Sequence, residues 1–333
     1  MAVYTPLDAA TLRDLIALYD VGEMVAFEPI VEGVSNSNWR VETSGSRQGS
    51  RFVLTLYERR IDAADVPYFL ALLDHLAAKG CRVPRTIHTR AGEPFLLVRD
   101  RPAALIAWIA GHSSEQPSAR QVRDVGRSLA QIHSAAADFP LTRKQALGLP
   151  AWRALVTQTG AEALNGLRPG LAGLLDAELA SLEQHWPSSL PQGTIHSDLF
   201  PDNVLMCGDQ VSGLIDFYFS ATDLLAYDLA VAHAAWCFAS DGRVFRPDLS
   251  TALLGGYEAV RPLSAAEKAA LPVLARGAAM RFIASRAYDW VNTPSTATVR
   301  RKDPLAFVNR LVFYRSSGDA IFTSDFRPAK NRA

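Results

Sequence analysis

Alternating apolar and polar residues over roughly the first hundred positions predict β-strands, with two amphipathic helices among them. The first helix spans 7–20 and carries Leu12 and Ile16 on one side. The second spans 66–79 and ends near Gly80, a residue typical of helix C-termini. Strands are predicted at 24–29, 38–43, 51–58, 85–88 and 94–98, the last continuing through 104–109. This order predicts a small antiparallel sheet with one helix packed against it.

Helical periodicity takes over from about residue 118. Helices are predicted at 118–136, 151–159, 169–185, 223–237, 248–260, 264–291 and 303–315. Past Ser316 the chain is polar and shows no apolar period, so 316–333 is predicted to be a disordered tail. The pattern therefore predicts an α+β protein of two lobes, a β-rich one over 1–108 and a mainly helical one over 109–315.

Composition narrows the classes of function. The 333 residues are 49% hydrophobic and 20% charged, which is typical of a soluble globular protein. The 34 basic and 34 acidic side chains give a net charge of zero, which argues against a nucleic-acid or membrane partner. Cys81, Cys207 and Cys237 are too scattered for a disulfide framework or a zinc site. With no secretory signal in view, we expect a cytoplasmic protein.

One stretch carries the chemistry. His196-Ser-Asp198-x-x-x-x-Asn203 is followed by Asp216-Phe-Tyr, at the spacing of the protein-kinase patterns H-R-D-x-x-x-x-N and D-F-G. We expect Asp198 to be the catalytic base, and Asn203 and Asp216 to hold Mg²⁺ on the phosphates of ATP. Apolar residues on both sides of each acid predict strands that end at the polar positions. The motif and the two lobes together predict a bilobal protein-kinase-like fold.

Turn chemistry is the alternative explanation of such residues, because Asp and Asn often bond their own backbone. Three polar positions at kinase spacing between apolar strands favour catalysis over this alternative. His196 is the exception, and we expect it to bond backbone and brace the loop. Asp228, twelve positions after Asp216, is also expected to be structural. So short an interval leaves no room for an activation loop, which favours a small-molecule kinase over a regulated protein kinase.

Nucleotide contacts are expected in the first lobe. The turn between its first two strands places small polar residues where backbone amides approach phosphates, namely Gly33, Ser35, Asn36, Ser37 and Asn38. Taken alone, this turn is also compatible with a plain hairpin. Ala107, Trp108 and Ile109 lie where the lobes join, as a hinge strand that offers backbone groups to adenine. Thr55 stands where kinases carry the phosphate-binding lysine, so Mg²⁺, the turn or Arg40 must supply that charge.

With these motifs the chain resembles the aminoglycoside phosphotransferase-like superfamily of small-molecule kinases. The resemblance extends over nearly the whole chain to its branch of bacterial homoserine kinases. It rests on 32–38 (EGVSNSN), 54–58 (LTLYE), 196–204 (HSDLFPDNV), 213–219 (GLIDFYF), 222–230 (TDLLAYDLA) and 288–294 (YDWVNTP). It implies phosphorylation of the L-homoserine hydroxyl with ATP and Mg²⁺, giving O-phospho-L-homoserine for threonine biosynthesis.

A zwitterionic acceptor needs one anionic and one cationic partner, and an arginine suits a carboxylate. Tyr218, Asp223, Arg281 and Arg286 are the candidates for binding it. Solvated ion pairs are the alternative role of each arginine. Two other functions stay open: a kinase for another amino alcohol or an aminoglycoside, and a non-catalytic nucleotide-binding module. The first would require an acidic groove that 223–300 does not offer, and the second would not need Asp198.

Overall fold

The computed structural model of the protein describes residues 5–30, 36–58, 61–293 and 301–322. The chain divides into two compact units. Unit 1 comprises Met1–Gly111 and Ser212–Tyr218, and unit 2 comprises His112–Val211 and Phe219–Ala333. Residues 212–218 group with unit 1 because they pack on it: the amide of Leu214 donates to the carbonyl of Arg82 over 2.8 Å. No helix in the described part of the chain combines the length and hydropathy of a bilayer span.

Unit 1 is an antiparallel sheet with helices against it. Its strands are β1 (Met24–Ile30), β2 (Ser37–Ser46), β3 (Gly49–Leu56), β4 (Thr86–Ile87), β5 (Leu96–Val98) and β6 (Arg101–Ala107), and its helices are α1 (Ala9–Ile16) and α2 (Val66–Ala78). The strand order is β1-β2-β3-β6-β4, with β5 also paired to β6. Because side chains alternate across a strand, each face of this sheet buries its own cluster.

One cluster of unit 1 contains Leu12 and Ile16 of α1 with Trp39 and Phe52 of the sheet. The other joins Val66 and Leu70 of α2 to Tyr57 and Ala104. Both predicted helices and the five predicted strand segments are present, the last segment as the two strands β5 and β6. The strand ends lie within three residues of their predicted positions, whereas α1 ends at Ile16, four residues before the predicted end at 20. The antiparallel sheet and the helical remainder of the chain confirm the α+β class.

Unit 2 is mainly helical. Its helices are α3 (Ala119–Ala135), α4 (Leu149–Thr159), α5 (Ala161–Leu167), α6 (Leu171–His185), α7 (Leu225–Trp236), α8 (Pro247–Glu258), α9 (Ala265–Asn292) and α10 (Leu305–Phe322). Two short strand pairs interrupt them: β7 (Gln192–Ile195) with β10 (Ala221–Leu224), and β8 (Val204–Cys207) with β9 (Gln210–Leu214). Capping boxes begin α3 at Ser118 and α9 at Ser264.

Helix α10 corrects the expected tail. It runs to Phe322, seven residues beyond the predicted end at 315. Its last turn is stabilised by aromatic packing, because the ring of Phe322 stacks on Tyr314 at 6.3 Å and lies 4.8 Å from His233. The rest of the predicted tail, 323–333, lies outside the described residues. Two further elements were not predicted: α5, and strand β10 where a helix was expected to begin.

Candidate active site

The strand pair β7–β10 holds the polar motif of unit 2. Ile195 of β7 pairs with Ala221 of β10, and the loop that begins at His196 follows β7 directly. Helix α7 follows β10 directly, and the amide of Leu225 at its start donates to the carbonyl of Pro191. Because the strand pair is antiparallel, α7 starts beside the beginning of β7, whereas the motif loop leaves the other end of β7. The first turn of α7 nevertheless contacts this loop through Asp228.

Asp228, in that first turn, holds the loop. It is fully buried and accepts the amides of His196 and Ser197, one on each carboxylate oxygen, both over 2.7 Å. His133 Nε2 lies 3.0 Å from the same carboxylate. Burial alone would raise the pKa of Asp228, but the hydrogen bond and charge of His133 and the charge of His196 lower it below its ordinary value. A buried carboxylate is thus kept ionised to fix the loop backbone.

Asp198 keeps part of its side chain accessible. Its carboxylate is 21% exposed, whereas His196 and Ser197 before it are fully buried. Burial raises the pKa of Asp198, and the charges of Arg281 and His196 partly oppose this rise. His196 Nδ1 accepts the amide of Asp198 over 3.3 Å, so its side chain bonds the backbone of the loop. An accessible carboxylate on a fixed backbone is the geometry that a general base needs.

Asn203 turns its amide nitrogen toward Asp198. Nδ2 donates to the backbone carbonyl of Asp198 over 2.8 Å and lies 3.3 Å from its carboxylate. With the nitrogen used in this way, the atom that Asn203 offers to a cation is Oδ1. The turn Pro201–Asn203 closes the loop through a bond from the Asn203 amide to the Phe200 carbonyl. Amide and carboxylate oxygens are the hard donors that Mg²⁺ prefers, so the side-chain chemistry of Asn203 and that of Asp216, each taken in its own unit, suit that ion.

Asp216 belongs to unit 1. Its φ is +64°, a left-handed conformation that is uncommon for a residue other than glycine. Two residues on, Tyr218 packs edge-on against Tyr57 with ring centroids 5.2 Å apart. Burial, followed by the negative charge of Asp216, raises the pKa of Tyr218 to about 12. The tyrosine was expected to contact the acceptor, and the structure places it among the aromatic side chains of unit 1.

Thr55 is part of a polar pair on β2 and β3. Its hydroxyl donates to Asn38 Oδ1 over 2.8 Å, and the two residues are cross-strand partners. A threonine in this buried position adds no charge of its own. Arg40, two residues along β2, lies 3.3 Å from Glu28 and 3.5 Å from Glu42. Arg40 is thus paired with these two acids along β1 and β2.

The predicted phosphate turn is described in part. Gly33 and Ser35 lie outside the described residues. Asn36 Oδ1 accepts the amide of Glu58 over 3.2 Å, and the hydroxyl of Ser37 donates to the carboxylate of Glu58 over 2.6 Å. Glu58 also forms an ion pair with Arg101. Both side chains thus tie the end of the turn to Glu58, just past the end of β3, and do not extend from the turn.

In the segment expected to form the hinge, two backbone amides already have hydrogen-bond acceptors within unit 1. The amide of Ala107 donates to the carbonyl of Arg85 over 3.0 Å, and that of Trp108 to Arg51 over 3.2 Å. These amides complete the sheet of unit 1. Neither of these two amides is therefore available as a donor to adenine. Ile109 packs against Gly213, where an added methyl group would lie 2.8 Å from the isoleucine side chain.

The candidates for acceptor binding in unit 2 differ in their surroundings. Asp223 on β10 is half-buried, and its carboxylate accepts the amide of Leu224 over 2.7 Å. Burial raises the pKa of Asp223, although the Leu224 amide opposes the rise. Arg281 is 1% exposed and lies against the motif loop, with Nη2 3.9 Å from Asp198.

Arg286, on the next turns of α9, is less enclosed than Arg281. Its guanidinium lies 4.5 Å from the ring centroid of Phe307 and 5.6 Å from that of Phe200. Burial lowers the pKa of Arg286 to about 10. Its hydrogen bond to the carbonyl of Asp303 is long, at 3.5 Å. Among the described residues, Arg286 makes no hydrogen bond to the motif loop, whereas Nη1 of Arg281 contacts the carbonyl and the hydroxyl of Ser197.

Comparison with known proteins identifies the family of the chain. The sequence model of the phosphotransferase enzyme family matches residues 26–263. The chain belongs to the phosphotransferase enzyme family. It is 48% identical to a homoserine kinase of Methylobacterium radiotolerans over 320 residues, 96% of this chain and 98% of that one. It is 47% identical to a homoserine kinase of Azorhizobium caulinodans, with the same coverage. The resemblance found in the sequence is confirmed.

A solved structure shows the same fold at lower identity. Spectinomycin phosphotransferase, in complex with ADP and spectinomycin, superposes with a TM-score of 0.73. It is 15% identical, and the match covers 95% of this chain and all of that one. The protein-kinase-like fold of this phosphotransferase is thereby confirmed.

Two residues of the phosphotransferase site were missed in the sequence. Gln145 lies between α3 and α4, and its Nε2 donates to the hydroxyl of Ser197 over 3.1 Å. Nothing in the polar segment around it indicates this contact, because the two residues are 52 positions apart. Ser197 itself lies inside the motif, in the place of the kinase arginine, and could have been singled out by that difference.

Proposed function

We propose that this small-molecule kinase transfers the γ-phosphoryl group of ATP to the side-chain hydroxyl of L-homoserine, giving O-phospho-L-homoserine and ADP for threonine biosynthesis. The observation that supports this most is near-full-length similarity to homoserine kinases together with the intact motif Asp198 to Asn203. By its similarity to homoserine kinases, the protein is further proposed to be a cytoplasmic enzyme with a small-molecule partner.

Asp198 would act on the acceptor hydroxyl. Its exposed carboxylate accepts the hydroxyl hydrogen bond and directs the oxygen toward the γ-phosphorus. As the new oxygen–phosphorus bond forms, the bond from the γ-phosphorus to the β–γ bridging oxygen breaks and ADP leaves. The proton of the hydroxyl passes to Asp198. Because the transition state is loose, positioning by this residue contributes more than its basicity.

Asn203 Oδ1 and the Asp216 carboxylate would hold Mg²⁺, which neutralises charge on the phosphates. With Thr55 in place of a lysine, this neutralisation becomes more important. Backbone amides of the turn containing Gly33 and Ser35 are proposed to bind the phosphates, and the segment ending at Ile109 to bind adenine. We assign nucleotide binding to the β-rich lobe and the acceptor to the helical lobe.

The acceptor is proposed to bind through Asp223 and Arg286. The half-buried carboxylate of Asp223 suits the α-ammonium group, and the guanidinium of Arg286 suits the α-carboxylate. Tyr218 remains a further candidate contact. Two acids, Asp198 and Asp223, face two arginines, Arg281 and Arg286, in this part of unit 2. Such a balance favours a zwitterion over a polycationic aminoglycoside.

An ADP-release assay across L-homoserine, L-serine, choline and kanamycin tests the acceptor. We expect kcat/KM for L-homoserine to exceed that of every other compound by at least about tenfold, since an interaction of about 1.4 kcal/mol suffices for that ratio. A comparable or higher value for choline or kanamycin would refute the assignment. Asp202→Asn serves as control for Asp198→Asn, because Asp202 lies in the same loop, exposed and 3.2 Å from Lys302.

A further inference from the structure

Ser197, the residue before Asp198, is bonded at each of its polar atoms. Its amide donates to Asp228 over 2.7 Å. Its carbonyl accepts Nη1 of Arg281, and its hydroxyl is contacted by the same nitrogen over 2.9 Å and by Nε2 of Gln145 over 3.1 Å. We call these four residues the Ser197 cluster. Its members come from the motif loop, the α3–α4 connection, α7 and α9.

The backbone of Ser197 shows what these bonds maintain. Its φ is +70°, in the left-handed region that side chains other than glycine rarely adopt. A residue in this conformation persists only when its surroundings over-determine it. Directly after this left-handed residue, the side chain of Asp198 is 21% exposed, whereas Ser197 itself is fully buried. The direction of the catalytic carboxylate therefore depends on Ser197 staying left-handed.

Of the two charged members of the Ser197 cluster, Arg281 is the one that lies near both Ser197 and the residue that follows it. It bonds Ser197 and approaches Asp198 to 3.9 Å. Its guanidinium is enclosed by two rings, with the centroids of Phe282 at 4.7 Å and Phe219 at 5.7 Å. At 1% exposure it presents no open edge to a ligand, in contrast to Arg286 on the same helix.

We propose that Arg281 and Ser197 are positioning residues that aim Asp198 at the acceptor hydroxyl, and that Arg281 does not itself bind the acceptor. This inference rests on the proposed function, because it takes Asp198 as the base. Phosphoryl transfer depends on in-line geometry, and a misplacement of about 1 Å can reduce a rate by about 10²-fold. A defect in the Ser197 cluster therefore affects kcat and leaves binding of both substrates intact.

Arg281→Met and Arg281→Lys test the role of the guanidinium. We expect Met to lower kcat by about 10²-fold, with the KM values for L-homoserine and ATP unchanged within about twofold. A lysine ammonium group can take the place of Nη1, which contacts both acceptors of Ser197, but it cannot also replace Nη2 near Asp198, so Arg281→Lys should recover part of the lost kcat. Arg286→Met should show the opposite pattern, in which the KM for L-homoserine rises and kcat changes little.

Arg310→Met is the matched control. Arg310 is 4% exposed and also binds backbone, donating to the carbonyls of Ala234, Ala306 and Ala239. Its substitution should lower the melting temperature without changing kcat at a temperature where the protein is folded. A rise of more than about tenfold in the homoserine KM of Arg281→Met would identify Arg281 as a substrate ligand and overturn the proposal. Unchanged kinetics would overturn it as well.

Ser197→Gly and Ser197→Ala keep the proposal testable if Arg281 variants do not fold. Both remove the hydroxyl, but glycine adopts the left-handed conformation without strain. We expect Ser197→Gly to retain more kcat than Ser197→Ala, and an equal or reversed order would contradict the role of the backbone. Turnover that persists in Asp198→Asn would instead refute the proposed function, so the two failures are distinguishable.

Discussion

Asp228 shows at the scale of one residue how this chain uses a buried charge. The carboxylate has no exposed surface, yet its oxygens accept two loop amides and the ring nitrogen of His133. The hydroxyl of Tyr257 lies 2.7 Å from the other ring nitrogen of His133. Both carboxylate oxygens of Asp228 and both ring nitrogens of His133 thus have a partner, which is the condition under which a buried charge is tolerated.

Asp228→Asn should be strongly destabilising. The amide cannot accept both loop N–H groups and carries no charge for His133, so one buried donor is left without its acceptor. Breaking a buried charged pair costs about 3–5 kcal/mol, and urea unfolding would measure it. Asp248→Asn is the control, because Asp248 pairs with Arg246 at the surface and such pairs contribute about 1 kcal/mol or less. Equal losses in the two variants would contradict the account.

His88 provides a prediction on pH. Its Nε2 lies 2.7 Å from Asp74 at the surface of unit 1, and this hydrogen bond raises the pKa of His88 above its ordinary value. The pair therefore stabilises the fold fully below the unfolded pKa of about 6.5, and the contribution is lost as pH rises through the folded pKa. NMR titration of His88 should show this raised pKa, and Asp74→Asn should return it toward the unfolded value. A pKa at or below about 6.5 in the unmodified protein would refute the pairing.

At the scale of elements, α3 and α8 illustrate packing that depends on glycine. A methyl group on Gly126 of α3 would lie 2.1 Å from the carbonyl oxygen of Leu253 in α8. One on Gly256 of α8 would lie 2.1 Å from the carbonyl oxygen of Arg123 in α3. The backbones of the two helices thus approach each other at two points where no side chain fits. Since His133 lies on α3, this contact also supports the partner of Asp228.

Gly126→Ala should destabilise the protein by at least about 1–3 kcal/mol, because the added methyl group forces the two helices apart. Gly173→Ala in α6 is the control, since nothing lies within 4 Å of the position of its added methyl group. There the change should be neutral or stabilising by about 0.5–1 kcal/mol, as expected for a helix interior. Thermal unfolding of both variants tests the prediction, and a stabilised Gly126→Ala would contradict it.

Elements with strong local signals could be predicted, and those defined by distant contacts could not. Helix α9 begins at Ser264 with Glu267 three residues later, a capping box that is readable in the sequence. The end of α10 is set by Phe322 packing on His233, which lies 89 positions earlier, so the polar composition there indicated a tail. In the site, motif spacing singled out Asp198 and Asn203. Gln145 could not be found, because its partner is created by the fold.

At the scale of the whole molecule, bound nucleotide should stabilise the folded chain. A ligand at 100 times its dissociation constant adds about 2.7 kcal/mol to the free energy of unfolding. If Asp216 holds Mg²⁺, Asp216→Asn should lose the rise in melting temperature that ATP produces with Mg²⁺. Asp202→Asn should retain it. Equal shifts in Asp216→Asn and the unmodified protein would remove Asp216 from the metal role.

The central claim is that Asp198 directs transfer of phosphate from ATP to the hydroxyl of L-homoserine. The most direct measurement is ³¹P NMR of the unmodified protein and Asp198→Asn with ATP, Mg²⁺ and L-homoserine. The account predicts a phosphomonoester resonance of O-phospho-L-homoserine growing with the loss of the γ-phosphate signal, and its absence in Asp198→Asn, which should still bind ATP. Inorganic phosphate as the sole product, or the phosphomonoester at an unchanged rate in Asp198→Asn, would contradict it.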